Sequence, residues 1–381
     1  MKEIILEEYK NLVVSLRRHF HMYPELSLKE YKTCEYIEKK LVEYGVKNIK
    51  KIFNTGLSAV IGDEKKECIA VRCDMDALPI KEETGLSFKS VNEGVMHACA
   101  HDAHMAVLLA FAKVIKDNED KLPVCVKLIF QPGEETEGGA KRMIDEGVLC
   151  NPAVKNVYGF HFWSGIDCGK VSYTKGVSFA QSSRFEIKIK GKGGHGAMPE
   201  KVINSLHPAS WLINEFKKIN EKYENAIVSL CSCNSDGTYN VFCENVIFKG
   251  TIRTLCDDDY NSIEKDIKEL KRTVIEEYNC DIETDIIYEY PCLINDDKTL
   301  DCFIKASQKV LGEESVTDDK YTFAAEDFSY FTQSVPSAHI KIGISNSENK
   351  NTLLPLHNPC FDIDEKALVY TLEILSELIF R

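Results

Sequence analysis

Nowhere in the 381 residues does an apolar run approach the roughly 18 positions of a membrane-spanning helix. The opening stretch, MKEIILEEYKNLVVSLRRHF, is too charged for a signal-peptide core and reads as an amphipathic helix. A cytoplasmic location is therefore expected. Basic residues are also in short supply. The 47 Lys and Arg against 60 Asp and Glu leave a net charge of −13, which disfavours nucleic acid or an anionic membrane as partner. A small anionic substrate held by a few local cations stays open. There is no internal repeat and no low-complexity segment. The 15 cysteines follow no spaced framework, and without an export signal they read as reduced thiols, mostly small buried hydrophobes.

What the chain does have is a core. Hydrophobic residues make up 44%, and the length favours two domains over one. Helical periodicity covers residues 1–45 and closes at Gly45. Then come short continuous apolar runs: CIAVRC (68–73), VCVKLIF (124–130) and NVYGFHFW (156–163). Helical stretches at 103–117 and 140–148 lie between them. This alternation predicts an α/β fold with a mainly parallel sheet. Near residue 180 the texture changes. In SRFEIKIKGKGG, Phe185, Ile187 and Ile189 alternate with Glu186, Lys188 and Lys190, as in a strand with one wet face. A helix around 204–220, strand-like NAIVSLCSC and NVIFKGTIRTL, and a charged helix follow. The α/β texture then returns, with SAHIKIGIS as a strand and DEKALVYTLEILSELIF as the closing helix. The expected organisation is a discontinuous domain of 1–179 and 291–381, with an α+β unit of 180–290 inserted in it.

The chemistry collects at the carboxyl ends of the expected strands, where open α/β sheets build their sites. Asp74 and Asp76 follow the first run, Glu134 and Glu135 the second, and His161 ends the third. HACAHDAH packs His97, Cys99, His101, Asp102 and His104 just before a helix. Cys99 and His101 are one residue apart, so in an extended loop they point the same way. Thiolate and imidazole suit Zn²⁺, Co²⁺ or Ni²⁺, and carboxylate widens the choice to Mn²⁺. Of the adjacent Glu134 and Glu135, one carboxylate can bind metal while its neighbour, on the other side of the backbone, takes a proton from water. His357 lies in a late loop, LLPLHNPCFD. His19, His21, His207 and His339 read as structural. Placement thus points to metal-dependent hydrolysis without saying which bond is cut.

GKGGHGAMPE (191–200) offers a rival. Gly191, Gly193 and Gly196 fit G-x-G-x-x-G, and a nucleotide-binding oxidoreductase would rest on them. That fingerprint needs a buried strand before it and a helix opening within it. Here the preceding strand is amphipathic and Pro199 follows in an irregular stretch, so the nucleotide reading is disfavoured.

Taken in order, RCDMDALPI, MHACAHDAH, IFQPGEETEGGA, FHFW, RFEIKIKGKGGHGAMP, GTIRT, AAEDFSYF and LHNPCFDIDE resemble the two-metal peptidase and amidohydrolase family of the aminoacylases and acetylornithine deacetylase. The match is best to its hippurate-hydrolase branch and runs from LRRHFHMYPEL (16–26) nearly to the C-terminus. The resemblance implies a catalytic domain with two divalent metal ions (Mn, Zn, Co or Ni) and an inserted dimerisation, or lid, domain. The assembly implied is a homodimer or a dimer of dimers. It implies Cys99, His101, Glu135, His161 and His357 as metal ligands, Glu134 as general base, and Asp76 as the aspartate that orients a ligand. His195 would be donated across the dimer to stabilise an oxyanion. Asn240 and Arg253 would bind the substrate carboxylate. The implied reaction is hydrolysis of the amide bond of an N-acyl amino acid; a dipeptidase or carboxypeptidase is the nearest rival, and a non-catalytic metal-binding homologue a remote one. Two departures stand out. Ala100 and Ala103 replace glycines usual in the branch, where a methyl makes positive φ costly. After GTYNV, FCE replaces the usual Ile-Pro-Asp.

Overall fold

The three apolar runs become neighbouring strands. In the computed structural model, which describes residues 7–136 and 138–380, Cys68–Asp74, Cys125–Gln131 and Val154–Asp167 lie side by side in parallel, joined by Ser337–Ser345. Their central residues are buried on both faces, which is why they read as continuous apolar runs. Among the described residues the sheet order is Asn48–Ile52, Gly56–Ile61, Cys125–Gln131, Cys68–Asp74, Val154–Asp167, Ser337–Ser345, Val171–Tyr173, Val316–Asp318. The first hairpin is antiparallel, as are its junction with Cys125–Gln131 and the pairing of Val171–Tyr173 with Ser337–Ser345. The chain moves from Cys68–Asp74 to one side and returns on the other through Val154–Asp167. That reversal makes a switch point, where α/β sheets open a crevice.

Helix His101–Asp117 is buried almost all round, as its apolar composition demands, and packs against Glu7–Met22 and Lys366–Ile379. The helical stretch expected over 1–45 is two helices, Glu7–Met22 and Tyr31–Glu43. Pro24 explains the break: it lacks an N–H and pushes Tyr23 out of helical geometry. Residues 1–6 lie outside the described residues.

By its internal contacts the chain divides into one unit of Met1–Ser178, Ile294–Lys320 and Asp327–Arg381, and a second of Phe179–Leu293 and Tyr321–Glu326. The second unit is an antiparallel sheet in the order Ala226–Ser235, Asn245–Thr254, Gln181–Lys190, Asp281–Tyr290. Helices Leu206–Lys222 and Asp257–Tyr278 cover one face, burying Phe185, Ile187, Ile189, Phe248, Leu212 and Ile267 together. Strand Asp281–Tyr290 left no apolar run to read, because Asp281, Glu283, Asp285 and Glu289 lace it with charge. Among the described residues no helix is long and apolar enough to cross a membrane, and all 15 cysteines are free.

Candidate metal centre

The carboxyl ends of the parallel strands bring the first-unit residues together. Ligand atoms of Cys99, His101 and His161 all lie within 4.8 Å of one another. So do those of Cys99, Glu135 and His357, and those of His101, Glu134 and Glu135. Glu134 and Glu135 therefore converge on one site instead of parting across the backbone. Cys99 Sγ is 3.5 Å from His161 Nε2 and 3.3 Å from His357 Nε2, and His357 Nε2 is 3.3 Å from Glu135 Oε1.

Local backbone aims these groups. The Cys99–His101 loop is not extended: Ala100 sits at φ 62°, ψ 17°, and this left-handed residue turns the chain into helix His101–Asp117. Ala103 lies inside that helix, where alanine is favourable. His357 is also left-handed, at φ 66°, and its N–H donates to Ala98 O at 2.8 Å. The strand carrying His161 runs on past it to Asp167, held by pairing with Ser337–Ser345. His101 Nδ1–H donates to Asp76 O at 2.8 Å, and His161 Nδ1–H to Phe162 O at 2.7 Å. Each ring is thereby fixed with Nε2 turned to the cluster. Asp76 Oδ2 accepts from Ser27 Oγ at 2.6 Å and from Glu135 N–H at 2.9 Å.

Two buried atoms here, His101 Nε2 and Glu135 Oε1, have no hydrogen-bond partner, while Asp76 Oδ1 lies 3.3 Å from His101 Nδ1. Each such orphan costs about 1–3 kcal/mol unless something binds it. The field around them is negative. Burial opposes charge on His101, yet Asp74, Asp76 and Glu135 carry its pKa up to about 10. Burial, then Glu135 and Glu134, push the Cys99 thiol far up. Burial holds His161 neutral, well below its ordinary value. Thiol, imidazoles and carboxylates crowded into this negative field fit a divalent cation, which would take the place of the His101 proton and hold the thiolate.

The sequence reading gave His104, Asp74 and Arg72 no role. His104 Nδ1–H donates to Asp74 Oδ1 at 2.6 Å, and its Nε2 accepts Phe162 N–H at 3.0 Å. Both ring nitrogens are used, so His104 is no ligand despite its place in the motif. It holds the backbone beside His161 instead. Asp74 Oδ2 accepts from Arg72 Nη1 at 2.9 Å. Burial opposes it, but His101, His104 and Arg72 keep the Asp74 carboxyl well below its usual range. Only the clustering of HACAHDAH hinted at His104.

In the second unit His195 and Asn240 come together. His195 pairs with Val241, and Gly196 N–H donates to Asn240 O at 2.7 Å. Ala197 N–H donates to His195 Nδ1, so the neutral ring carries its proton on Nε2. A Cβ on Gly191 would fall 2.1 Å from Ile203 O and one on Gly196 3.0 Å from Asn240 O, so these glycines serve close backbone packing. No helix opens in the motif; strand Gly194–His195 occupies it, against a nucleotide fingerprint. Arg253 stands apart. It pairs with Ser182 near the end of strand Asn245–Thr254 that lies away from His195 and Asn240, a strand length on the order of 25 Å.

The profile of peptidase family M20/M25/M40 matches residues 70–381. The chain belongs to that family. It is a metal-dependent hydrolase of amide bonds. It is 32% identical to the N-acetyl-L-cysteine deacetylase of Bacillus subtilis (strain 168), over 98% of this chain and 88% of that one. It is 33% identical to thermostable carboxypeptidase 1 of Saccharolobus solfataricus, over 95% and 93%. Among solved structures it is similar to a dinuclear metal-binding peptidase of the M20 family from Bacillus subtilis, with a TM-score of 0.85 at 28% identity, covering 98% of each chain. The family fold, a catalytic α/β domain with a mainly parallel sheet and an inserted domain, is the fold described above.

Proposed function

We propose that this M20 hydrolase is an amidohydrolase of N-acyl amino acids, with an N-acetyl or aromatic acyl group, and that it works with two divalent ions. The observation that carries this reading is the pair of unpartnered buried atoms on His101 and Glu135 beside Cys99, His161 and His357. Cys99, His101, Glu135, His161 and His357 would hold the ions, and Cys99, which belongs to two of the overlapping triads, would be shared between them. Mn²⁺, Zn²⁺, Co²⁺ and Ni²⁺ all suit this donor set. Bound ions would polarise the scissile carbonyl and acidify the attacking water. Glu134 takes the water's proton and returns it to the leaving amine. Asp76 keeps His101 and Glu135 in register through the contacts described. His195, with its proton on Nε2, donates to the developing oxyanion of a partner subunit's site. The Arg253 guanidinium takes the substrate carboxylate together with Asn240 of the partner subunit, which comes with the partner's His195, and this explains how an acidic protein binds an anion.

A homodimer is part of the proposal. It is supported by strand Ala226–Ser235, a sheet edge of ten residues with no charged side chain, where exposed edges normally carry charge. A cytoplasmic location is supported by the free cysteines. The second reading, a dipeptidase or carboxypeptidase, is supported by the likeness to the Saccharolobus carboxypeptidase. A free amino group on the preferred substrate would decide for it.

The test is amine release from N-acetyl, N-benzoyl and dipeptide substrates by metal-stripped enzyme, with each of the four ions added back. Activity on N-acyl amino acids that returns with metal is the expected result. Tight metal binding without hydrolysis of any substrate would overturn the catalytic reading.

A further inference from the structure

We infer that Glu30 is a positioning residue for the loop that presents Glu134 and Glu135. This rests on the roles proposed for those two glutamates. Glu30 is fully buried at the N-terminus of helix Tyr31–Glu43 and makes no capping bond to its own helix. Glu25 does that work, accepting Thr33 N–H at 2.9 Å. The Glu30 carboxylate is thereby released to the active-site loop. Oε1 accepts Gly133 N–H at 3.0 Å and Leu28 N–H at 2.9 Å, and Oε2 accepts Thr55 Oγ–H at 2.6 Å.

Gly133 immediately precedes Glu134. It sits at φ +68°, and a Cβ there would fall 2.6 Å from Leu28 Cδ2. Leu28 is itself left-handed, at φ 60°. Glu30 thus pins two left-handed residues, from distant parts of the chain, against each other. One residue away, Ser27 holds the Asp76 oxygen that also accepts Glu135 N–H. The segment from Ser27 to Glu30 therefore braces both ends of the Gly133–Glu135 turn. Burial, then the charge of Asp76, push the Glu30 carboxyl up to about 7. Its protonated form still offers one oxygen to both amides and turns its O–H to Thr55, so glutamine is a close mimic.

The experiment compares Glu30→Ala, Glu30→Asp and Glu30→Gln in the metal-loaded enzyme. Per folded, metal-loaded site, Glu30→Ala should lower kcat about 100-fold with KM within about threefold, since an ångström of misplacement costs that much. Glu30→Asp withdraws the acceptor by one methylene and should lower kcat about tenfold. Glu30→Gln restores the acceptor and should recover kcat to within about threefold. Two readouts do not depend on turnover. Amide exchange at Gly133 should quicken in the Ala and Asp variants and not in Gln, and the visible spectrum of the cobalt-loaded protein should change in the same pattern. A lower melting temperature with unchanged kcat in Ala or Asp would make Glu30 merely structural and overturn the inference. So would a Gln variant as impaired as Ala. If Glu30→Ala does not fold, the Asp and Gln pair decides. Glu134→Gln is measured alongside: turnover there would refute the base, while Gly133 exchange and the cobalt spectrum still judge Glu30.

Discussion

At the scale of the residue, Ala100 is the departure with the clearest consequence. It is fully buried and left-handed at the turn between Cys99 and His101. The left-handed penalty is about 1–2 kcal/mol for an L-residue. Glycine would relieve it, but would lose about 0.8 kcal/mol of methyl burial and add backbone entropy to the unfolded chain. These nearly cancel, so Ala100→Gly should change stability by less than about 1 kcal/mol. Ala100→Val should cost more than about 2 kcal/mol and lower metal affinity, because a β-branched residue at positive φ is strained and no room is left for it. Urea unfolding and metal titration of both variants check this. A second residue-scale prediction concerns His21, which read as merely structural. It is fully buried, with Nδ1 2.7 Å from Asp102 Oδ2 and Nε2 3.1 Å from Glu82 Oε1. Burial and Arg17 oppose its charge, but Asp102 and Glu82 raise its pKa above the ordinary 6.5. Its contribution is therefore complete below pH 6.5 and lost as pH climbs through the raised value. Unfolding free energy should fall as pH rises from about 6.5 through the raised pKa, by about 1.4 kcal/mol for each unit of that shift. Glu82 and Asp102, both held low, act at the acid end instead. In Glu82 and Asp102 backgrounds left intact, His21→Gln should flatten the alkaline loss; an unchanged slope would show that the ring does not carry the charge.

At the scale of the element, the two edges of the inserted sheet differ in a way that local sequence already states. Asp281–Tyr290 carries four acids and is protected from pairing, whereas Ala226–Ser235 carries none. Ile227 on that bare edge is 38% exposed, an apolar side chain only partly covered by its own unit. If a second copy pairs there, charges introduced on this edge would meet their like across the two-fold axis. Ile227→Lys with Cys231→Lys should weaken the dimer at least tenfold in sedimentation, with little change in the melting temperature of the protomer. A dimer of unchanged strength would move the interface elsewhere. The same scale shows why some elements were legible and others not. Cys68–Asp74 and Cys125–Gln131 are buried on both faces, so their composition alone announces them. Asp281–Tyr290 is an edge whose requirement is charge, and charge reads as loop. The helix break at Tyr23–Pro24 lay within an unbroken apolar period, and only proline's missing N–H marks it.

At the scale of the whole molecule, the separation within the inserted unit has a functional consequence. Arg253 lies a strand length, on the order of 25 Å, away from the end near His195 and Asn240, too far for one small substrate to touch all three on one copy of the sheet. If His195 serves a partner's site, Glu134→Gln and His195→Ala should each be inactive alone. Mixed and allowed to exchange subunits, they should recover about a quarter of wild-type activity, since half of the dimers form one complete site. No recovery, with exchange demonstrated by mass spectrometry, would refute donation across the dimer.

The sequence by itself determined the layers, the insertion and the kind of chemistry. Those depend on local pattern: continuous apolar runs for doubly buried strands, alternation for a half-wet sheet, and thiol, imidazole and carboxylate gathered at strand ends. Tertiary structure decided which of the gathered residues are available. His104 stands in the same motif as His101, yet its two nitrogens are consumed by Asp74 and by Phe162 N–H, partners that only the packed strands supply. Cys99 and His357 lie 258 positions apart, and only the finished sheet and the left-handed turn at His357 set them 3.3 Å from each other. Glu30, a buried acid with no capping bond, has its partner in Gly133, 103 positions away, which only the fold brings to it. A residue's type states what it can bind; whether a lone pair is left over depends on every neighbour the fold brings to it.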